Sequence, residues 1–169
     1  GHDLTIAAFA SLLPEYPDAQ LVLVGAGPER ARLEAQVRTL GLEGRVLLPG
    51  SVANTELPLW FSAADLSVLS SSREGWANVL LEAMACGTPV AASNVWGTPE
   101  VVASPEAGEL MRERTASGVA EAVRRLRASP RDRASTRRYA ERFSWDATTQ
   151  GQLDLFHRIL AARRSPELR

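Results

Sequence analysis

Glu74 and Glu82 carry the clearest chemistry in this chain: two carboxylates with seven residues between them, set around a predicted helix start near Trp76. At such a start the backbone N–H groups of Trp76, Ala77, Asn78 and Val79 have no partner inside the helix, and the helix dipole adds positive potential. The turn is therefore suited to an anion such as phosphate. The two carboxylates cannot share that task without repelling the anion, so they serve hydroxyls or cations instead. A ligand in which phosphate is flanked by hydroxylated rings, a sugar nucleotide, meets both demands.

The elements that must hold this turn follow from apolar periodicity. Asp65 to Leu69 is a short apolar run that ends in small polar residues, Ser70 to Ser72, as a buried strand ends in a loop. Ala77 to Ala85 are good helix formers with apolar residues at helical spacing, and Gly87 with Pro89 stops that helix ahead of a strand at Val90 to Ser93. Strands are also predicted at Leu21 to Val24, Arg45 to Leu48 and Glu109 to Met111. Helices are predicted over His2 to Glu15 with Asp3 as cap, Pro28 to Leu40, Asn54 to Ala63, Thr115 to Arg127, Pro130 to Arg142 and Asp146 to Arg163. The alternation predicts a doubly wound, Rossmann-like α/β fold with a parallel sheet and helices on both faces. In such sheets ligands sit beyond the carboxyl ends of the strands, where Gly25, Ser51, Ser70 and Asn94 all fall.

The loop Gly25, Ala26, Gly27, Pro28 joins a strand to a helix, as a phosphate-binding fingerprint does. Arg30 replaces the third glycine of that fingerprint and no acidic residue ends a strand about 20 residues on, which argues against a dinucleotide. A tight turn that needs glycine and the lining of a ligand cleft account for the loop equally.

Composition bounds the answer without naming a partner. With 169 residues, 45% apolar and 23% charged, the chain is expected to form one soluble globular domain, 1–169. A net charge of -1 gives no whole-chain case for nucleic acid or an anionic membrane. Every basic residue other than histidine is arginine, a bias ascribed to a GC-rich genome. Cys86 stands alone, so an intrachain disulfide is excluded; it reads as a small buried thiol and fits a reducing cytoplasm. His2 and His157 share no ligand spacing, and no metal is expected. No apolar run approaches the roughly 18 residues of a spanning helix. The arginine-rich stretch from Arg112 to Arg142 reads as a solvated outer face, with Tyr139 and Phe143 on a core-facing stripe. The chain opens without Met in mid-pattern and is expected to be part of a longer polypeptide.

Glu74 and Glu82, followed by Ala83, Met84, Ala85, Cys86, Gly87, Thr88, Pro89 and Val90, resemble the signature of the retaining, nucleotide-sugar-dependent glycosyltransferases of family four (group 1), which have the two-domain GT-B fold. Gly97, Thr98, Pro99 and Glu100 strengthen the likeness. So do Gly1, His2 and Asp3, similar to the end of the family's KGxD segment, Leu21 to Pro28, similar to LVxVGxGP, and Phe143, Ser144 and Trp145, similar to FSW.

The resemblance implies the carboxy-terminal, donor-binding half of such an enzyme, lacking its first strand. That strand belongs between those at Leu21 and Asp65, so the flanking strands are expected to close on one another or to be filled by a neighbouring chain. It implies a catalytic role for Glu74, at the transferred sugar, and places Glu82 on the ribose diol. Gly25 and Gly27 line the donor cleft, Ser51 and Val52 meet the nucleotide base through the main chain, and Gly75, Trp76, Ala77, Asn78 and Val79 bind the donor mainly through backbone groups. Trp76 stands where the family commonly has Phe, which leaves the sugar open. Glu100 reads as a first-turn helix carboxylate.

By the same resemblance the substrate is a nucleoside diphosphate sugar, with no cofactor and no metal. The acceptor is held by an amino-terminal domain, toward which the helix over residues 144–163 packs. The enzyme is expected to be a hexosyltransferase of cell-envelope polysaccharide synthesis, cytoplasmic or peripheral at the inner membrane face, with the isolated chain inactive. Two alternatives stay open: a nucleotide-sugar epimerase of the same architecture, and a non-catalytic module that binds a sugar nucleotide or a partner.

Overall fold

The computed structural model describes residues 1–164 and confirms the alternation. Its elements are α1 (His2–Leu12), β1 (Leu21–Val24), α2 (Arg30–Thr39), β2 (Val46–Gly50), α3 (Leu57–Ala63), β3 (Ser67–Leu69), α4 (Asn78–Ala85), β4 (Val90–Ser93), α5 (Thr98–Val101), β5 (Gly108–Met111), α6 (Ala116–Ala128), α7 (Arg133–Ala140) and α8 (Trp145–Arg164). Helix starts lie later than periodicity alone predicts wherever a proline or a capping residue precedes them. Pro28 lies outside α2, and α7 begins after Asp132, whose carboxylate accepts from the N–H groups of Ala134 and Ser135. Thr115 caps α6 in the same way, accepting from Gly118 N–H. Asp3 does not cap α1: the N-cap is Gly1, and Asp3 sits in the first turn.

All strand pairings are parallel, but they form two sheets, β1–β2 and β3–β4–β5. The second sheet is covered on both faces, and alternation along its strands assigns each residue to one of them. Val90, Ala92, Leu69 and Leu110 pack with Leu80, Met84, Val101 and Tyr139. Ala91, Met111 and Val68 face the other way, against Ala8, Leu12, Val119 and Leu126. Residues of β4 are buried on both sides, as a central parallel strand requires.

The expected direct closure of β1 on β3 is not found. Instead α1 spans two cores, with Ile6 and Phe9 against Leu23, Leu33 and Val46, and Ala8 and Leu12 against the second sheet. Helix packing, not backbone hydrogen bonding, thus joins the two sheets, and β1 and β3 each keep an unpaired edge among the described residues. On the β1–β2 face away from α1, the register partners Val22 and Leu47 are exposed. Helix α3 buries no residue, and its Leu59 is 71% exposed. The described side chains of α8 are exposed along its length, including Trp145, Leu153, Phe156, Ile159 and Leu160. No helix of the described residues is long and apolar enough to cross a membrane.

Candidate functional site

Helix α4 points its amino terminus out of the carboxyl end of the second sheet, and the sequence sets both of its limits. At the far end Gly87, at a φ of 77°, donates to Met84 O while Thr88 N–H donates to Ala83 O, a Schellman closure that turns the chain into β4. At the near end the N-cap is Ala77 rather than a residue ahead of Trp76, because the chain turns tightly there and Asn78 N–H donates to Trp76 O at 3.0 Å. The Asn78 N–H is therefore engaged within the turn, unlike the other three groups expected to be free. The N–H groups of Trp76, Ala77 and Val79 have no acceptor among the described residues.

This turn is braced from behind. Ala77 is buried, and the Trp76 ring meets Phe143 edge-on with centroids 5.9 Å apart; Phe143 in turn meets Tyr139 at 5.4 Å. The Tyr139 hydroxyl donates to Val101 O at 3.0 Å and accepts from Ala103 N–H at 3.1 Å. A row of rings thus links α5 and α7 to the start of α4.

Glu74 is half-buried in the loop before this turn, and Glu82 is exposed on α4, beside buried Ala83 and half-buried Leu81. Neither carboxylate has a hydrogen bond or ion pair among the described residues, and the alternative pairing of Glu74 with Arg73 is not formed. Both are uncommitted acceptors.

The carboxyl ends of β3, β4 and β5 converge on Ser70 and Ser71. Ser93 Oγ donates to Ser71 O at 2.7 Å, and Arg114 Nε, from the loop after β5, donates to Ser70 O at 2.9 Å. Ser70 Oγ donates to Gly1 O at 2.7 Å, which leaves Thr5 as donor in the 2.8 Å contact between the two hydroxyls. Sequence reasoning missed Thr5 and Arg114, since neither lies in a motif and both contacts span distant positions.

Gly25, at a φ of 135°, donates to Gly50 O at 2.8 Å, so the loops after β1 and β2 also meet. There the glycine is demanded by backbone geometry. Gly27 has open space where a side chain would lie, Ser51 is exposed and Val52 half-buried. Arg30, at the place of the missing third glycine, donates to Leu48 O and steadies the end of β2.

Other expectations sort as follows. Cys86 is half-buried at the end of α4 rather than fully buried, because it caps the helix at the edge of the core. Glu100 lies in the first turn of α5. The arginine-rich segment is more than a solvated face: Arg125 and Arg131 both bind Glu109, and Arg133 donates to the carbonyls of Ser62, Ala64 and Cys86. Burial holds the His2 imidazole below its usual pKa. Of two surface concavities, one lies beside Glu109 and Arg125, where that arginine is already paired, and one beside Tyr139, Arg142 and Phe143.

Residues 1–143 match the sequence profile described as Glycosyl transferases group 1. The chain belongs to this family. An N-acetyl-alpha-D-glucosaminyl L-malate synthase of Bacillus anthracis is 41% identical over 116 residues, 69% of this chain and 30% of that protein. A D-inositol 3-phosphate glycosyltransferase of Saccharomonospora viridis is 33% identical and covers 98% of this chain and 42% of its own length. Among solved structures, sucrose-phosphate synthase of Thermosynechococcus elongatus superposes with a TM-score of 0.77 at 32% identity, covering 96% of this chain and 44% of that one. Anabaena HepE, solved in complex with UDP, gives 0.78 at 26% identity over 93% and 45%. This group 1 glycosyl transferase chain therefore spans less than half the length of these relatives and has the fold of one half of a GT-B enzyme.

Proposed function

We propose that this chain is the donor-binding domain of a retaining hexosyltransferase that takes its sugar from a nucleoside diphosphate. The observation that carries the reading is the combination, around the first turns of α4, of three N–H groups and two carboxylates that have no partner among the described residues. The N–H groups of Trp76, Ala77 and Val79 face the diphosphate, aided by the α4 dipole. Glu82 accepts two hydrogen bonds from the ribose diol, and Glu74 accepts from a hydroxyl of the transferred sugar. Gly25, Gly27, Ser51 and Val52 line the base end, and Gly75 gives the approach to the diphosphate.

In transfer, the bond from the anomeric carbon to the phosphate oxygen breaks and a bond to the acceptor oxygen forms on the same face. The acceptor proton passes to the departing diphosphate. Negative charge grows on that leaving group, and donors fixed in place before reaction lower the barrier because they need no reorganisation. The exposed apolar side chains of α8, Leu153, Phe156 and Leu160 among them, pack against the domain that holds the acceptor. Binding requires no metal. Action in the cytoplasm or at the inner membrane face, in cell-envelope polysaccharide synthesis, belongs to the same reading and is tested by cell fractionation and glycan analysis of a deletion strain.

The direct test is calorimetric titration of the full-length protein with UDP, GDP, ADP and their hexose conjugates. Saturable binding of at least one nucleotide, with tighter or equal binding of its sugar conjugate, supports the reading. Binding of none overturns it.

A further inference from the structure

Trp96 is the one non-glycine residue with positive φ among the described residues, at 45°. It stands in the loop between β4 and α5, in a turn closed by Thr98 N–H donating to Val95 O at 3.0 Å. The next residue, Gly97, has an ordinary φ of -77°, so its own backbone does not require glycine. What requires it is proximity: a Cβ at position 97 would overlap the carbonyl oxygen of Gly75 and lie 4.0 Å from the Trp76 Cα. The loop is thereby pressed onto the segment between Glu74 and the start of α4. The glycine is spent on that close approach, and the strained position beside it is filled by the bulkiest side chain available.

Burial does not offset this strain. The Trp96 side chain belongs to a residue 69% exposed, and among the described residues it makes no ring contact of the kind that holds Trp76 to Phe143. A strained conformation held by its surroundings, with an exposed aromatic at its apex, is the arrangement expected where a ligand completes the contacts. We propose that Trp96 forms a stacking face for the hexose ring of the donor; this rests on the donor-binding reading above.

Three points select the hexose over the rest of the donor. The electron-rich face of an indole does not favour phosphate oxygens. The base end lies with the loops after β1 and β2, whereas the Trp96 loop abuts Gly75, next to Glu74. A pyranose presents a face of C–H groups and an edge of hydroxyls, so an indole face and a neighbouring carboxylate satisfy both. Trp96 is then a specificity-determining residue, which selects hexoses whose stacking face is free of axial hydroxyls.

The experiment compares wild-type full-length protein with W96G and W96F by calorimetry, using UDP, GDP and ADP each against its hexose conjugates, together with thermal melting. W96G removes the strain and the ring together, so it is expected to melt no lower than wild type and to bind the nucleotide unchanged. Its affinity for the matching nucleotide sugar is expected to fall about five- to tenfold, while W96F retains most of it. A nucleotide sugar bound by W96G as tightly as by wild type overturns the assignment of Trp96 while leaving the donor-binding reading intact. Failure of wild-type protein to bind any of these compounds would instead remove the reading on which it rests.

Discussion

Phe143 stands edge-on to Trp76, with ring planes at 61°, and thereby fixes a residue at the head of α4 from a position close to the end of α7. The same ring touches Tyr139, whose hydroxyl bonds tie α5 in place. Removing Phe143 therefore loosens the turn at the head of α4 as well as the core. Phe143→Ala is expected to cost about 1 to 3 kcal/mol of stability, the value of a half-buried aromatic and its edge contacts. Nucleotide affinity should fall with it at temperatures where the variant is still folded. Melting curves and titration at 10 °C separate the two effects; lost stability with unchanged affinity would confine Phe143 to the core.

Glu82 offers a cleaner probe, because its exposed side chain has no partner among the described residues to disturb. Glu82→Ala is expected to remove charge-assisted hydrogen bonds to a ribose worth about 1.5 to 3 kcal/mol, or roughly ten- to hundredfold in affinity. Stability should be unchanged. An unaltered dissociation constant for the nucleotide would mean that Glu82 is a solvated helix carboxylate.

Nucleotide binding is expected to persist in chelator. In the proposed reading the diphosphate is met by N–H groups and a helix dipole, and among the described residues no three His, Cys, Asp or Glu side chains gather to hold a metal ion. Titration of the full-length protein in excess EDTA, with and without restored magnesium, checks this. Abolished binding that magnesium rescues would show that a cation bridges the diphosphate to Glu74 or Glu82.

Binding and turnover should separate when this chain is expressed alone. In the proposed reading a further domain positions the acceptor, and that positioning contributes a large proximity effect to the rate. Side-by-side assays of the chain and the full-length protein against one donor and acceptor pool test the division. Comparable transfer by both would place the whole reaction within these residues.

The turn around Glu74 and Glu82 was legible in the sequence because its signals are local. Helix periodicity over Ala77 to Ala85, the stop at Gly87 and the spacing of the carboxylates depend only on residues within a few turns of one another, and the strands β1 and β4 came out with the limits expected. Resemblance to a family extended the same local strings to a function class. What the tertiary structure alone decided are contacts between distant segments: the two sheets joined through α1, Phe143 behind Trp76, Arg114 on Ser70, and Gly97 against Gly75. Even the count of free N–H groups belonged to it. Periodicity marks where a helix can start, but which amide is consumed by the entering turn depends on how the preceding loop is held, and here the Phe143 ring and buried Ala77 hold it so that Asn78 bonds Trp76. A side chain's partner across the fold leaves no period in the sequence, because packing chooses it from everything the chain brings near.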